Sequence, residues 1–292
     1  MDDMPCLSPR VVACLPSWNA AAFIEPVLRS LDAQTYPNLK VLISDDASSD
    51  ATWEICTEFA RGRPRFHLHR QAVNRGWLGN VNWLLREADG EYLFFAFHDD
   101  PLEPSYVERL VEALEAAPDA VLAFTDITID LRSDALDLVT QWRYAELDGV
   151  DGVRERLRVL TSMQGHWWIP NRGLFRRAAA QSVGGLRRHL AGELNADWLW
   201  LLHLSLLGRF VRVPEPLVRK VWRQQGLSLS WRRSAAKTLG VTLGAACEIA
   251  RARLPLRLRA QLLKDFWSHW LGKWWRRAGA AVPRGVTNRL DP

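Results

Sequence analysis

The sequence predicts an α/β fold: a doubly wound, mostly parallel sheet followed by a helical C-terminal extension. Three observations carry this prediction. Short apolar runs alternate with segments of helical periodicity along residues 11–125. The runs are apolar throughout, as strands covered by helices on both faces are. Three of them end in polar clusters, Ser17/Asn19, Asp45/Asp46 and Asp99/Asp100. In a parallel sheet those ends share one side, where ligands bind beyond the carboxyl termini of the strands.

The elements follow in order. Residues 11–15, VVACL, form the first strand. Asn19 is expected to cap the next helix, in which Phe23, Ile24, Val27, Leu28 and Leu31 share one face. Residues 39–44 are the second strand and 51–60 a helix, with Ser49 or Asp50 available as its cap. Residues 66–69 are the third strand. Asn74-Arg75-Gly76 is a turn, and a helix runs from it to about residue 88. Residues 91–97, EYLFFAF, are a buried strand ending at His98-Asp99-Asp100. A helix over 104–116 and a strand over 120–125 come next. The pattern weakens over 126–192, apart from GLFRRAAAQSVGGLRR at 173–188, which reads as a strand edge or turn, a helix and a Gly-Gly break. Residues 197–207 are an apolar helix, 210–213 and 217–221 two short strands, and 233–280 a basic, mainly helical tail.

Composition bounds the function. The 292 residues, 48% of them hydrophobic, suffice for one large α/β domain plus an appendage. The net charge of +5 suits nucleic acid, anionic lipid or a phosphate-bearing substrate alike. No nucleic-acid recognition motif accompanies it, so a nucleic-acid partner is not expected. Cys6, Cys14, Cys56 and Cys247 have neither metal-ligand nor redox spacing and read as reduced thiols. The opening MDDMPCLSPR lacks the pattern of a signal peptide, and no apolar run approaches the ~18–20 residues of a membrane span. A cytoplasmic location is therefore expected, with peripheral attachment to a membrane face open. Pro16-Ser17-Trp18-Asn19 after the first strand is not the Gly-rich turn of a nicotinamide enzyme.

Chemistry concentrates at the strand ends. Adjacent carboxylates at Asp99-Asp100 repel each other, and a hard divalent cation relieves that repulsion while leaving room for substrate phosphates. The alternative is a solvated loop capping the next helix. Asp46, in Asp45-Asp46-Ala47-Ser48-Ser49-Asp50, can accept the imide N–H of a pyrimidine. Pro16, Ser17 and Asn19 can line a nucleobase pocket, and Arg75 matches phosphate geometry.

The order strand–PSWN–helix, strand–DDASSD–helix, NRG–helix–DGEYLFFAF–HDD resembles the family 2 glycosyltransferases with the GT-A fold. The similarity is strong over residues 9–125. It is weaker over 170–230, through LFRRAAAQSVGG and ADWLWLLHLSLLGRFVRVPEPLVRK. The resemblance implies a GT-A, Rossmann-like transferase domain over 1–230. Its nucleotide-sugar half covers about 9–125 and its acceptor half about 126–230, with the Trp-rich extension at 231–292. It implies an inverting transfer from a nucleotide-sugar donor, UDP- or dTDP-linked, to a saccharide or lipid-linked acceptor. Mn²⁺ or Mg²⁺ is the implied cofactor. Pro16, Ser17, Asn19, Asp46, Arg75, Gly76 and Asp99 then fall where the family holds the nucleotide sugar, and Asp100 with Asp99 where it holds the metal. The general base falls on Asp197 or Glu193, within Gly192-Glu193-Leu194-Asn195-Ala196-Asp197. An N-cap of the following helix is the other role open to Asp197. Two departures stand out. Phe97-His98 replaces a more acidic stretch, and Gln224-Gln225-Gly226 stands where the family often has a late His.

Two rival readings use the same residues: a metal-dependent phosphohydrolase or nucleotidyltransferase, and a non-catalytic nucleotide-sugar-binding protein. His166, Trp167 and Trp168 suit either core packing or a sugar or lipid acceptor. In the tail, Leu262/Leu263, Phe266/Trp267, Trp270/Leu271 and Trp274/Trp275 make one apolar helix face. Residues 251–292 hold ten Lys plus Arg against two acids. That face either packs on the domain or, through 251–280, meets an anionic membrane surface.

Overall fold

The structure, a computed structural model, describes residues 8–133, 136–162, 166–221 and 234–280. Strand β1 (Val11–Ser17) is fully buried and pairs in parallel with β2 (Leu39–Asp45) on one side and β4 (Tyr92–Phe95) on the other. β3 (Phe66–Arg70) adds in parallel to β2. Helices α1 (Ile24–Asp32), α2 (Thr52–Ala60), α3 (Gly76–Glu87) and α4 (Tyr106–Glu115) supply the crossovers. In α1, Ile24, Val27, Leu28 and Leu31 turn inward, the stripe that the sequence periodicity requires.

Beyond β4 the sheet changes character. β7 (Leu174–Arg176) is antiparallel to both β4 and β5 (Ala120–Ser133). β5 is far longer than the expected six residues, because its second half pairs with β6 (Leu136–Trp142) as a hairpin. β8 (Arg209–Val221) runs parallel along the other edge of β5, with irregular register at Thr125/Asp126 and Asp126/Ile127. The two short strands expected over 210–221 are thus one strand: the bulges absorb Pro214 and Pro216, which read in sequence as a break. Among the described residues the sheet has eight strands in the order β3-β2-β1-β4-β7-β5-β6, with β8 on β5. The weakly patterned stretch also contains α5 (Val153–Ser162).

Asn19 does not cap α1. That helix starts at Ile24, and Asn19 is left-handed (φ 47°) with its side-chain oxygen accepting Ser49 N at 2.9 Å. The short polar side chain of Asn tolerates this backbone and ties the loop after β1 to the loop after β2. Asp50 adds a second tie, accepting Ala21 N at 3.1 Å and Thr52 N at 3.0 Å.

The C-terminal half closes one face. α6 (Arg177–Val183) ends at Gly184, whose φ of +81° makes it a left-handed C-terminal residue. Asn82 on α3 then bonds both Leu186 N and Leu186 O at 2.8 Å, which fixes the path of the loop toward α7 (Ala196–Leu207). α7 is buried nearly all round. α8 (Ala235–Arg251) and α9 (Leu256–Ala280) pack against α7 and α5 through a second core that includes Leu199, Leu202, Val241, Ile249, Leu262 and Phe266. The first turns of the tail's apolar face are therefore used in packing, while Leu271 stays 47% exposed. Among the described residues no helix is long and apolar enough to cross a membrane. Cys14 and Cys56 are buried free thiols and Cys247 an exposed one.

Candidate active site

The loops after β1 and β2, the start of α3 and the loop before α7 enclose a cavity of about 630 Å³. Pro16, Ser17 and Asn19 form one wall, Asp46, Gly76 and Asn80 another, with Trp18, Phe23, Trp77 and His98 as aromatic lining and Arg188 and Glu193 at the rim. Concave form, aromatic walls and a few polar groups are what a nucleoside-sized ligand needs.

The two carboxylates after β2 have separate jobs. Asp45 is fully buried and turned inward, accepting Ser48 N at 3.1 Å and the Ser48 hydroxyl, with Arg70 Nε at 3.4 Å. It shapes the loop. Ala47 is left-handed (φ 55°), and Asp46 faces the cavity. Asp46 Oδ1 accepts Arg75 N at 2.7 Å, tying its carboxylate to the turn that opens α3. Burial pushes its carboxyl above the usual aspartate value, aided by repulsion from Asp45 and opposed by N–H bonds from Arg75 and Gly76. Gly76 has φ +75°, which a residue with a Cβ adopts only under strain. Arg75 takes part through its backbone, while its side chain is exposed and outside the cavity wall. Asn80 donates Nδ2 to Ser44 O at 2.8 Å and leaves its Oδ1 without a partner. His98 fills the place of the more acidic stretch, with Nδ1 3.2 Å from Pro16 O and its ring against Phe23.

Asp99 and Asp100 lie just beyond this cavity and differ sharply. Asp99 is half-buried and makes no hydrogen bond or ion pair among the described residues. Asp100 is 2% exposed. Its Oδ2 accepts Arg172 Nε at 2.6 Å, and its Oδ1 faces Lys220 Nζ at 3.4 Å. The Arg172 guanidinium lies over the rings of Phe97 and Trp168, at 4.7 and 4.8 Å. A carboxylate this buried needs such partners. As a donor set for a divalent ion the pair offers hard oxygens only: Asp99 without a partner, and one loosely engaged oxygen of Asp100. That chemistry fits Mg²⁺ or Mn²⁺, which take one or two carboxylates plus water and phosphate. Among the described residues no group of three or more His, Cys, Asp or Glu could form a complete protein cage. Gln224-Gln225-Gly226 lie outside the described residues.

Asp197 sits in the first turn of α7, not at its cap, which is the left-handed Asn195. Its Oδ1 accepts Trp198 N at 2.9 Å and its Oδ2 accepts Asn171 Nδ2 at 3.0 Å. Burial is the main influence on its carboxyl and raises it, against the Trp198 N–H and the Arg172 charge, which lower it. Asn171 and Arg172 are neighbours in the 3₁₀ turn Ile169–Arg172, so one turn carries partners of both Asp197 and Asp100. Glu193 is placed differently: its Oε1 accepts Arg188 Nε and Nη2 at 3.0 and 2.6 Å, at the cavity rim near Gly76. Sequence reasoning missed Asn171, Arg172, Arg188 and Lys220. None has a spacing signal, and only contact across the fold marks them. His166 stacks on Trp142 at 4.1 Å, and Trp167 packs against both hydrophobic cores.

Comparison with known proteins agrees with this architecture. The profile described as Glycosyl transferase family 2 matches residues 12–178. The glycosyltransferase GlyA of Streptococcus pneumoniae serotype 4 is 31% identical over 105 residues, which are 36% of this chain and 15% of GlyA. The chain thus spans only a small part of that relative's length. The fold is similar to S. aureus TarS 1–349 in complex with UDP-GlcNAc, at 18% identity and a TM-score of 0.68, covering 88% of this chain and 71% of that one. It is also similar to the mannosyltransferase PcManGT of Pyrobaculum calidifontis in complex with GDP-Man and Mn²⁺, at 20% identity and a TM-score of 0.58, covering 96% and 78%. With a matched span of more than half its length, on a sheet of the expected GT-A order, the chain belongs to glycosyl transferase family 2.

Proposed function

We propose that the protein moves a sugar from a nucleoside diphosphate donor to an acceptor hydroxyl with inversion at the anomeric carbon. The observation that carries this reading is the cavity in which Pro16, Ser17, Asn19, Asp46 and Gly76 converge, next to the Asp99–Asp100 pair. The aromatic lining takes the base, and Asp46 accepts an N–H from it. Uracil and thymine offer such an N–H, as does guanine, and we take the donor to be UDP- or dTDP-linked, which titration with GDP alongside tests. Asp99 and Asp100 would hold Mn²⁺ or Mg²⁺, which supplies charge neutralisation for the leaving diphosphate. Arg172, fixed between two aromatic rings, holds Asp100 in place.

Asp197 acts as the base. It accepts the proton of the acceptor hydroxyl as that oxygen bonds to the anomeric carbon and the bond to the diphosphate oxygen breaks. Asn171 orients its carboxylate by the 3.0 Å bond, and the first-turn position in α7 favours its charged form. Glu193, already paired with Arg188, shapes the cavity rim. The acceptor is a saccharide or a lipid-linked saccharide.

Residues 1–230 serve as the transferase domain and 231–292 as an extension. The exposed Leu271 of α9 offers an apolar contact to anionic lipid; failure to float with anionic vesicles would refute that attachment.

The test is calorimetric titration with UDP, dTDP and GDP, each with and without Mn²⁺, on wild type and Asp100→Ala. Metal-dependent binding of one nucleotide, lost in the variant, is the expected result. Absence of binding by all three nucleotides would overturn the reading.

A further inference from the structure

Asp100 is already paired without an ion. Its two oxygens face two cations, Arg172 and Lys220, while Asp99 pairs with neither. The two cations are not held alike. Arg172 makes a 2.6 Å bond and is pinned by two aromatic faces. Lys220 reaches Oδ1 of Asp100 only at 3.4 Å, beyond the usual N–H···O range, and Asp100 is the one carboxylate with which it pairs among the described residues. Lys220 lies next to the last residue of β8, on a four-carbon stem that swings without moving the sheet.

A divalent ion bound to the loosely engaged oxygen of Asp100 must displace this ammonium. The ion and the released ammonium then leave uncompensated positive charge beside an Asp100 that is almost wholly buried, and low exposure makes such an excess costly. The doubly anionic diphosphate of a sugar nucleotide cancels it. On the donor reading above, we propose that Lys220 holds the free oxygen of Asp100 in the metal-free chain and exchanges it for the donor diphosphate when the ion binds. Metal and diphosphate then bind as a coupled pair, and Lys220 is the residue that couples them. By linkage each tightens the other by the same factor.

The experiment measures Mn²⁺ binding by electron paramagnetic resonance and UDP binding by calorimetry, each alone and in the presence of the other. It uses the full chain as wild type, Lys220→Met and Lys220→Arg. In the wild type, UDP is expected to tighten Mn²⁺ binding by roughly 5–150-fold, the usual span of such couplings. Lys220→Met should bind Mn²⁺ alone more tightly than wild type, bind UDP with Mn²⁺ more weakly, and lose most of the coupling. Lys220→Arg should keep it. If Lys220→Met fails to give a cooperative thermal melt, Lys220→Gln answers the same question. A neutral variant with wild-type coupling overturns the role of Lys220 while leaving the donor site standing. A wild type that binds UDP neither alone nor with Mn²⁺ overturns the donor reading and this inference with it.

Discussion

Replacing Asp197 with Asn tests the proposed base most directly, because the two side chains have nearly the same shape. The amide oxygen of Asn can keep the bond from Trp198 N, now 2.9 Å. Asn171 donates Nδ2 to Asp197 and leaves its own Oδ1 without a partner, so a flip of Asn171 lets that oxygen accept from the new amide. Packing should therefore survive. The ionised carboxylate does not. Its loss removes the proton acceptor, an effect of about 10²–10⁴ in turnover, or roughly 3–5 kcal/mol on the barrier. The stability effect has the opposite sign. Burial raises the carboxyl of Asp197 above its usual value, so the folded state holds a proton more tightly than the unfolded chain does. Stability is therefore lost as pH rises from the unfolded toward the folded value, and above that range the charged group opposes folding. Asp197→Asn should melt at or above the wild-type temperature at pH 7. The assay is release of the nucleoside diphosphate from whichever donor the titrations select, with nucleotide affinity measured alongside. In the wild type, turnover should also fall as pH drops through a value above the ordinary aspartate range. Turnover of Asp197→Asn within threefold of wild type, at unchanged nucleotide affinity, would refute Asp197 as the base. Loss of turnover in Glu193→Gln under the same conditions would move the role there.

Three further outcomes are expected. Asp46→Ala removes an acceptor for the base and should weaken nucleotide binding by about 10–100-fold, the scale of one hydrogen bond to a charged group, as read by calorimetry. Glu248 on α8 is buried with His203 Nδ1 at 2.7 Å and Arg251 Nε at 2.6 Å. Burial disfavours its charge, but the bonds from His203 and Arg251 outweigh it and hold the carboxyl below the usual glutamate value. Glu248→Ala should cost about 3–5 kcal/mol at pH 7 in denaturant unfolding. That difference is fully present above the unfolded value and should shrink as pH falls through the lower folded value. Gly173 leads from Arg172 into β7, and a Cβ there would run into the carbonyl oxygen of Ala123 and lie 2.9 Å from Leu122 Cδ2. Gly173→Ala should cost about 1–3 kcal/mol and, by moving Arg172 and Asn171, lower turnover as well; an unchanged melting temperature would contradict this.

The sequence by itself determined the parallel half of the sheet. Apolar runs such as VVACL and EYLFFAF can be buried only between two layers of helix, and the stripe in α1 faces inward as its periodicity demands. It also placed the strand-end clusters on one side, because parallel strands with right-handed crossovers leave no other arrangement. Local pattern could not see where pairing is non-local. β5 runs on past residue 125 because β6 and β8 flank it, and two prolines that read as a break are taken up as bulges in β8. Asn19 read as a helix cap, but a bond to the loop after β2 took its side chain. Only the tertiary structure decided what the carboxylates do. Asp45 and Asp46 are adjacent in sequence and alike in chemistry, yet one is turned into its own loop and the other faces the cavity. Asp99 and Asp100 divide in the same way, because Arg172 and Lys220 arrive from segments 72 and 120 residues away. A side chain's type is written in the sequence. Its charge state, partners and burial are set by groups that only the folded chain brings within a few ångströms.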